Sequence, residues 1–192
     1  MNHVLEIGAG FGRSAQMLVK LIPNLETYAI VDLLEIFTLS STYLESVLEV
    51  PEFSKPRFVH ALSLESGQPE LSCVDLVINI DSFQEMPQQT IYYYFRKFID
   101  RARFFYSKNA VGKYKPEFVG LHGIDEKQLL DVSSLELSTE VINICKEKEF
   151  SLARARHAEQ YRPGSDFAIV AQAPLGIFPY YHNVLNAQAG DQ

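Results

Sequence analysis

Short apolar runs alternate with amphipathic stretches along most of this chain, and that alternation predicts an α/β fold built on a mostly parallel, doubly wound sheet. Val4–Ile7 is an apolar strand, and the helical pattern Arg13–Ile22 follows it. After the break at Pro23 and Asn24, Glu26–Val31 (ETYAIV) predicts a second buried strand, with a helix over Ile36–Leu48 closed by Pro51. A short strand at Arg57–His60 precedes a polar loop from Ser63 to Pro69. Val74–Ile80 (VDLVINI) is apolar on both faces except at Asp75 and Asn79, as a central parallel strand should be. Met86-Pro87 opens a helix that runs through Tyr92–Phe95 to about Asp100, and Arg103–Ser107 predicts a fifth strand.

The remainder departs from simple alternation. Lys108 to Gly123 predicts a long loop, and loops of that length are commonly functional. Helical patterns occupy Glu126–Val132 and Leu135–Lys148. Phe150–His157 and Phe167–Ala173 predict two strands joined through the turn Arg162-Pro163-Gly164-Ser165, a C-terminal antiparallel hairpin on the sheet. These elements make one domain over residues 1–175, with a tail over 176–192 whose last residues, Asn186 to Gln192, fray.

The candidate chemistry begins at the first strand's end. Gly8, Gly10 and Gly12 stand at alternate positions in VLEIGAGFGRSA. Glycine is needed where a chain turns tightly or lies against a ligand, and a helix N-terminus beyond such a turn offers free N–H groups and partial positive charge. The dinucleotide fingerprint G-x-G-x-x-G wants its third glycine one residue later, where Arg13 stands. Glu6, two residues before the first glycine, would repel a pyrophosphate and suits a cationic amino group instead. Asp32 ends the second strand about twenty residues on, where a carboxylate takes both hydroxyls of a ribose. Asp also caps helices, but with Glu6 and the glycines upstream the ribose is the preferred partner.

The E-x-G-x-G-x-G order from Glu6 to Gly12 resembles the first motif of class I S-adenosylmethionine-dependent methyltransferases. With IVDLLE and INIDSFQEMP (Ile78–Pro87), the opening LEIGAGFGRSA is similar to a group of bacterial sugar O-methyltransferases. The resemblance spans most of the chain. It implies a Rossmann-like seven-stranded sheet with a C-terminal antiparallel hairpin, and S-adenosylmethionine as cofactor. Glu6, Gly8, Gly10 and Gly12 would then hold the methionine part, and Asp32 with Leu33 the ribose. Ala61 and Leu62 would flank the adenine, although the usual acidic residue after the third strand is missing. It also implies a helix before the first strand, which here begins almost at Met1, so a truncated chain or a late start is expected as readily as a complete one.

Candidates for catalysis follow the fourth strand. Methyl transfer needs an aligned acceptor and a group to take its proton. Glu85 is the first choice for that base, and His122, in GLHGI, the second. Glu85 at a helix start equally complements the helix dipole. Asp81 fits a place near the methionine amine or the acceptor, or else is a surface loop acid. His60 and His157 lie in strands and read as structural. Asp81 and Glu85 lack an evident third ligand, so no metal is expected.

Bulk properties narrow the partners. The chain has 192 residues, enough for one well-filled domain, and a net charge of −7, which disfavours nucleic acid. Arg96, Lys97, Arg101 and Arg103 cluster only as a solvated helix face would. Cys73 and Cys145 lie far apart without metal spacing, which fits a reducing, cytoplasmic setting. No run of eighteen apolar residues predicts a membrane span. The expected function is methylation of a small hydroxylated acceptor such as a saccharide, by a protein for which a homodimer is allowed. An NAD(P)-dependent oxidoreductase and a non-catalytic assembly domain of the same fold are the competing readings.

Overall fold

The computed structural model describes residues 1–61, 74–114, 117, 135–176 and 179–190. Leu62, Cys73 and His122, the loop over 63–69 and the helix expected over 126–132 lie outside the described residues. Seven strands form one sheet: β1 (His3–Ile7), β2 (Thr27–Asp32), β3 (Pro56–His60), β4 (Leu76–Ile80), β5 (Phe104–Ala110), β6 (Phe167–Pro174) and β7 (Tyr181–Gln188). Their order is β3-β2-β1-β4-β5-β7-β6. The first five are parallel, and β7 runs antiparallel between β5 and β6. Five helices accompany them among the described residues: α1 (Arg13–Leu21), α2 (Leu34–Val47), α3 (Val50–Phe53), α4 (Gln88–Lys97) and α5 (Glu147–Gln160).

Strand alternation divides the core in two. Val4, Tyr28, Ile30 and Ile78 pack with Ala15 and Val19 of α1 and Leu44 of α2. Leu5, Ile7, Val77 and Phe105 point the other way, against Ile91, Tyr94 and Phe95 of α4 and Tyr161 at the end of α5. Parallel strands covered on both faces need apolar residues at nearly every position, and β1, β2 and β4 have them. On the α1 side, β4, β5 and β7 leave an open groove of about 480 Å³, floored by Ile78, Phe104, Tyr106 and Leu185.

The N-terminal two thirds follow the expected elements, within a residue or two at most boundaries. Three expectations are corrected beyond that. The strand expected over Phe150–His157 is part of α5, whose buried residues Phe150, Ala153, His157 and Ala158 fall at helical spacing. The helix expected over Leu135–Lys148 is instead a segment of turns and isolated bridges, Pro87 to Leu135 and Lys113 to Val141, with helix only from Glu147. The hairpin is β6–β7, so residues 181–188, expected in a fraying tail, form an interior strand. β5 also continues past Ser107 to Ala110, shortening the expected loop.

Candidate functional site

In an open α/β sheet, ligands lie beyond the carboxyl ends of the strands, where the strand order reverses. Here that point falls between β1 and β4. Gly8, Gly10 and Gly12 all have left-handed φ, at 71°, 55° and 95°, a conformation that costs L side chains energy. A Cβ at Gly8 would also overlap the side chain of Ser82 just past β4, whereas one at Gly10 would meet nothing within 4 Å. The loop is thus packed on β4 at Gly8 and open at Gly10.

Asp32 ties this loop to the end of β2. One carboxylate oxygen accepts the Gly10 N–H at 3.0 Å and the other accepts the Leu33 N–H at 2.8 Å. The carboxyl is half-buried, and burial pushes its pKa up against the opposing pull of those two donors. Gly8 N–H donates to the Val31 carbonyl, which extends the β1–β2 pairing into the loop. Leu33 is exposed at the start of α2, and Ala61 packs on the core beside the β3 exit. α1 starts from Gly12 with no side-chain cap and no acid among its own first-turn residues, so its N-terminal partial charge faces the loop.

Glu6 lies beneath the loop instead of at its mouth. It is 1% exposed, accepts the Tyr28 hydroxyl at 2.7 Å and is hydrogen-bonded to Ser14 in the first turn of α1. Burial, the largest cause, pushes its pKa up. Its carboxylate therefore braces β1, β2 and α1 against one another.

The β4 exit forms the other wall. Asn79 donates to the Ile7 carbonyl at 3.0 Å and to Ser82 Oγ at 2.5 Å, and Ser82 Oγ donates to the same carbonyl at 3.0 Å. Two donors on one carbonyl lock the β1 exit to the β4 exit. Sequence reasoning did not assign Asn79 or Ser82 to the site, though a lone Asn inside the apolar run of β4 was a visible signal. Asp81 has φ 62°, rare for a non-glycine residue and found most often where function holds the strain. Its Oδ2 lies 2.8 Å from Lys108 Nζ, while its buried Oδ1 has no hydrogen-bond partner. Glu85 is exposed on the 3-10 turn Phe83–Glu85 that follows. Phe83 anchors this turn, fully buried against Tyr94, Tyr161, Phe95 and Phe105. Gly8, Gly10 and Gly12 thus follow β1, Asp32 ends β2, and Asp81 and Glu85 follow β4, at three neighbouring strand ends.

Behind the β5 exit stands a carboxylate that sequence reasoning missed. Glu136 is fully buried, with its N–H on the Met86 carbonyl, φ 73°, and an ion pair to Lys113 at 3.0 Å. It also accepts the Tyr161 hydroxyl at 3.2 Å. Burial outweighs the lysine and pushes its pKa up to about 7. His157, reassigned to α5, is fully buried, and burial drives its pKa down to about 3.

These two groups act oppositely on stability. The unfolded histidine takes up a proton below about pH 6.5 and the folded one does not, so His157 costs stability as pH falls from there, about 2 kcal/mol by pH 5. Glu136 binds its proton more tightly when folded, so its contribution is greatest at low pH and is lost as pH rises from about 4.5 to about 7. Between pH 4.5 and 6.5 the two offset each other. Relative to wild type, Glu136→Gln should therefore lose melting temperature as pH falls through that window. Thermal scans of both proteins from pH 4.5 to 7.5 check this, and a difference between them that does not change with pH contradicts it.

No protein-family model and no curated protein matches this sequence. Solved structures do. The methyltransferase domain of bacterial CtHen1 superposes with TM-score 0.63 at 13% identity, over 98% of this chain and 90% of that one. Mitomycin 7-O-methyltransferase MmcR gives 0.58 at 13% identity, over 98% and 49%. An O-methyltransferase family protein from Burkholderia thailandensis gives 0.58 at 11% identity, over 100% and 52%. The chain spans about half the length of the latter two. Likeness at such low identity speaks to architecture, and the strand order with its antiparallel β7 agrees: this chain has the seven-stranded methyltransferase fold.

Proposed function

We propose that this chain is an S-adenosylmethionine-dependent methyltransferase that acts on an oxygen of a small hydroxylated acceptor, with a saccharide as the favoured class. The observation that carries the reading is Asp32, whose carboxylate clamps the left-handed glycine loop at the β1–β4 switch point. A carboxylate oxygen with one backbone donor still has a lone pair for a ribose hydroxyl. The residues present suit the cofactor: an open loop at Gly10, an uncapped α1 N-terminus for a carboxylate, and acidic groups for an amine. Methyltransferase neighbours of the same fold support it, and a further neighbour, LepI, is described in complex with S-adenosylmethionine. Arg13 in place of the dinucleotide glycine argues against NAD(P).

When bound, the cofactor supplies an activated methyl group on a sulfonium. The work of this chain is to bind, orient and move one proton. Gly8, Gly10 and Gly12 let the loop backbone lie against the methionine part while their own N–H groups stay bonded within the fold, with Glu6 bracing the loop from below. Asp32 and Leu33 hold the ribose, and Ala61 and Leu62 flank the adenine. Asp81, with one oxygen on Lys108 and the other unengaged, faces the methionine amine or the acceptor. Glu85 takes the acceptor proton, and His122 is the next candidate.

No helix among the described residues is long and apolar enough to cross a membrane. The acidic charge and a small-molecule acceptor fit a cytoplasmic protein, alone or as a homodimer. In the test of this reading, Glu85→Gln binds S-adenosylhomocysteine with unchanged affinity. It also loses roughly a hundred-fold or more in release of that product when hydroxylated acceptors, monosaccharides first, are supplied. A fully active Glu85→Gln protein moves the role to His122.

A further inference from the structure

The open groove beside α1 is apolar along its length, and its one polar end adjoins the proposed methyl-transfer site. α1 carries two apolar stripes. Ala15 and Val19 face the core, while Met17, Leu18 and Leu21, with Ser14 above them, form one wall of the groove. Opposite stand Leu76, Ile78 and Ile80 of β4 and Phe104 and Tyr106 of β5. Ser14 and Tyr106 supply the polar side-chain atoms of this lining, and both are engaged. The Tyr106 hydroxyl donates to Asn183 Oδ1 at 2.7 Å, and Ser14 is hydrogen-bonded to Glu6. Met17 and Leu21 are nonetheless 55% and 66% exposed. A continuous exposed apolar surface of this kind marks a place where a ligand or partner binds. Its volume of about 480 Å³ is that of a small-molecule site.

The groove follows β4 from end to end. Leu76 and Ile80, its two limits on that strand, stand about 13 Å apart at about 3.3 Å per residue, the span of an extended alkyl chain of roughly ten carbons. At the Ile80 end the chemistry changes within one residue. Asp81 follows, and Lys108, paired with Ile80 across β4 and β5, holds the Asp81 carboxylate at 2.8 Å. Burial and then the Asp81 charge push the Tyr106 phenol pKa up, so this acid acts on the groove floor itself. Ser14, two residues past Gly12, joins the groove to the glycine loop. A hydrocarbon surface and a charged, hydrogen-bonding corner therefore meet at the β4 exit. That is the complement of an amphiphile.

We propose that the groove holds the apolar tail of the acceptor, so that the substrate is a hydroxylated head carrying an alkyl or aryl chain, the head at Asp81 and the chain between α1 and the sheet. An alkyl-linked saccharide meets both demands. The placement of the head rests on the methyltransferase reading, whereas the affinity of the groove for hydrocarbon does not. Met1 and Met17, unbranched and polarizable, let the groove adapt to chains of different shape.

The probes are n-butyl, n-hexyl and n-octyl β-D-glucoside, each below its micelle-forming concentration, together with S-adenosylhomocysteine. Methionine-methyl NMR reads both regions at once, because the three methionines divide between them. Met1 and Met17 line the groove, and Met86 Cε lies 3.8 Å from where a Cβ would stand at Gly8. Octyl glucoside should shift Met1 and Met17. It should also bind about ten- to twentyfold tighter than butyl glucoside, since a fully buried methylene is worth about fourfold and an open groove covers about half of each. Met17→Glu and Leu21→Glu, at positions exposed enough for the variants to fold, should abolish that gain, and Leu39→Glu on α2 should keep it. Asp81→Ala should weaken all three glucosides alike, by roughly tenfold, without changing their dependence on chain length.

A Met17 signal that octyl glucoside leaves in place, an affinity independent of chain length, or a gain that survives Met17→Glu overturns the proposal. So does a dimer in light scattering that Met17→Glu dissociates, since a second copy would then fill the groove. An unchanged glucoside series in Asp81→Ala overturns the placement of the head. S-adenosylhomocysteine should shift Met86, and a Met86 signal that ignores it counts against the methyltransferase reading, while the hydrocarbon site stands or falls on Met17.

Discussion

Asp32→Ala should lose S-adenosylhomocysteine binding by at least about a hundred-fold while the protein stays folded. The carboxylate accepts backbone N–H groups from Gly10 and Leu33 at 3.0 and 2.8 Å, and so joins the glycine loop to the β2–α2 corner. Hydrogen bonds to a charged acceptor are each worth about 1.5–3 kcal/mol. Losing both frees the loop, and losing the proposed ribose contact adds to it. A hundred-fold change corresponds to about 2.7 kcal/mol, within the reach of one such bond pair. Asp32 is only half-buried at the end of a strand, so thermal unfolding should move little. Asp32→Asn keeps one acceptor oxygen and should fall between the two. Calorimetric titration measures this, and unchanged affinity in Asp32→Ala removes the ribose assignment.

Phe83→Ala should be the most destabilising single change near the site, at about 3–5 kcal/mol. That is a large share of the about 5–15 kcal/mol that holds a domain folded. Phe83 is fully buried, and its ring centre lies 6.1–6.5 Å from those of Tyr161, Phe95, Tyr94 and Phe105. The cavity would open directly beneath the turn that carries Asp81 and Glu85, so cofactor affinity should fall together with stability. Urea unfolding checks the first effect, and a loss below about 1 kcal/mol would show that the aromatic cluster closes over the gap.

The glycine loop, the start of α1 and the acid at the end of β2 were legible in the sequence because their signals are local. A glycine needed for left-handed φ, a helix start and an acid at a strand end each announce themselves within a few residues. The parallel strands β1, β2 and β4 were equally plain, being apolar on both faces. The C-terminal third was misread for a physical reason. In α5 the buried stripe is Phe150, Ala153, His157 and Ala158 while Leu152 is exposed, so small and polar residues point inward. In β7 the inward residues include His182 and Asn186, and Leu185 faces the open groove, which reverses the usual alternation. Asn109 hid the end of β5 in the same way. All of these belong to one polar interior between β5, β7 and α5, and a pattern that assumes an apolar inside cannot find it. Glu136 escaped because its importance lies in tertiary partners, Lys113 and Tyr161, that no short motif reveals.

The early third glycine, the buried Glu6 and the Asp32 clamp make one claim: this loop is built for S-adenosylmethionine, not for a dinucleotide. Calorimetric titration of the intact chain with S-adenosylhomocysteine and, separately, with NADH tests it most directly. Saturable binding of S-adenosylhomocysteine without binding of NADH is the predicted result. Binding of NADH with none of S-adenosylhomocysteine would contradict it.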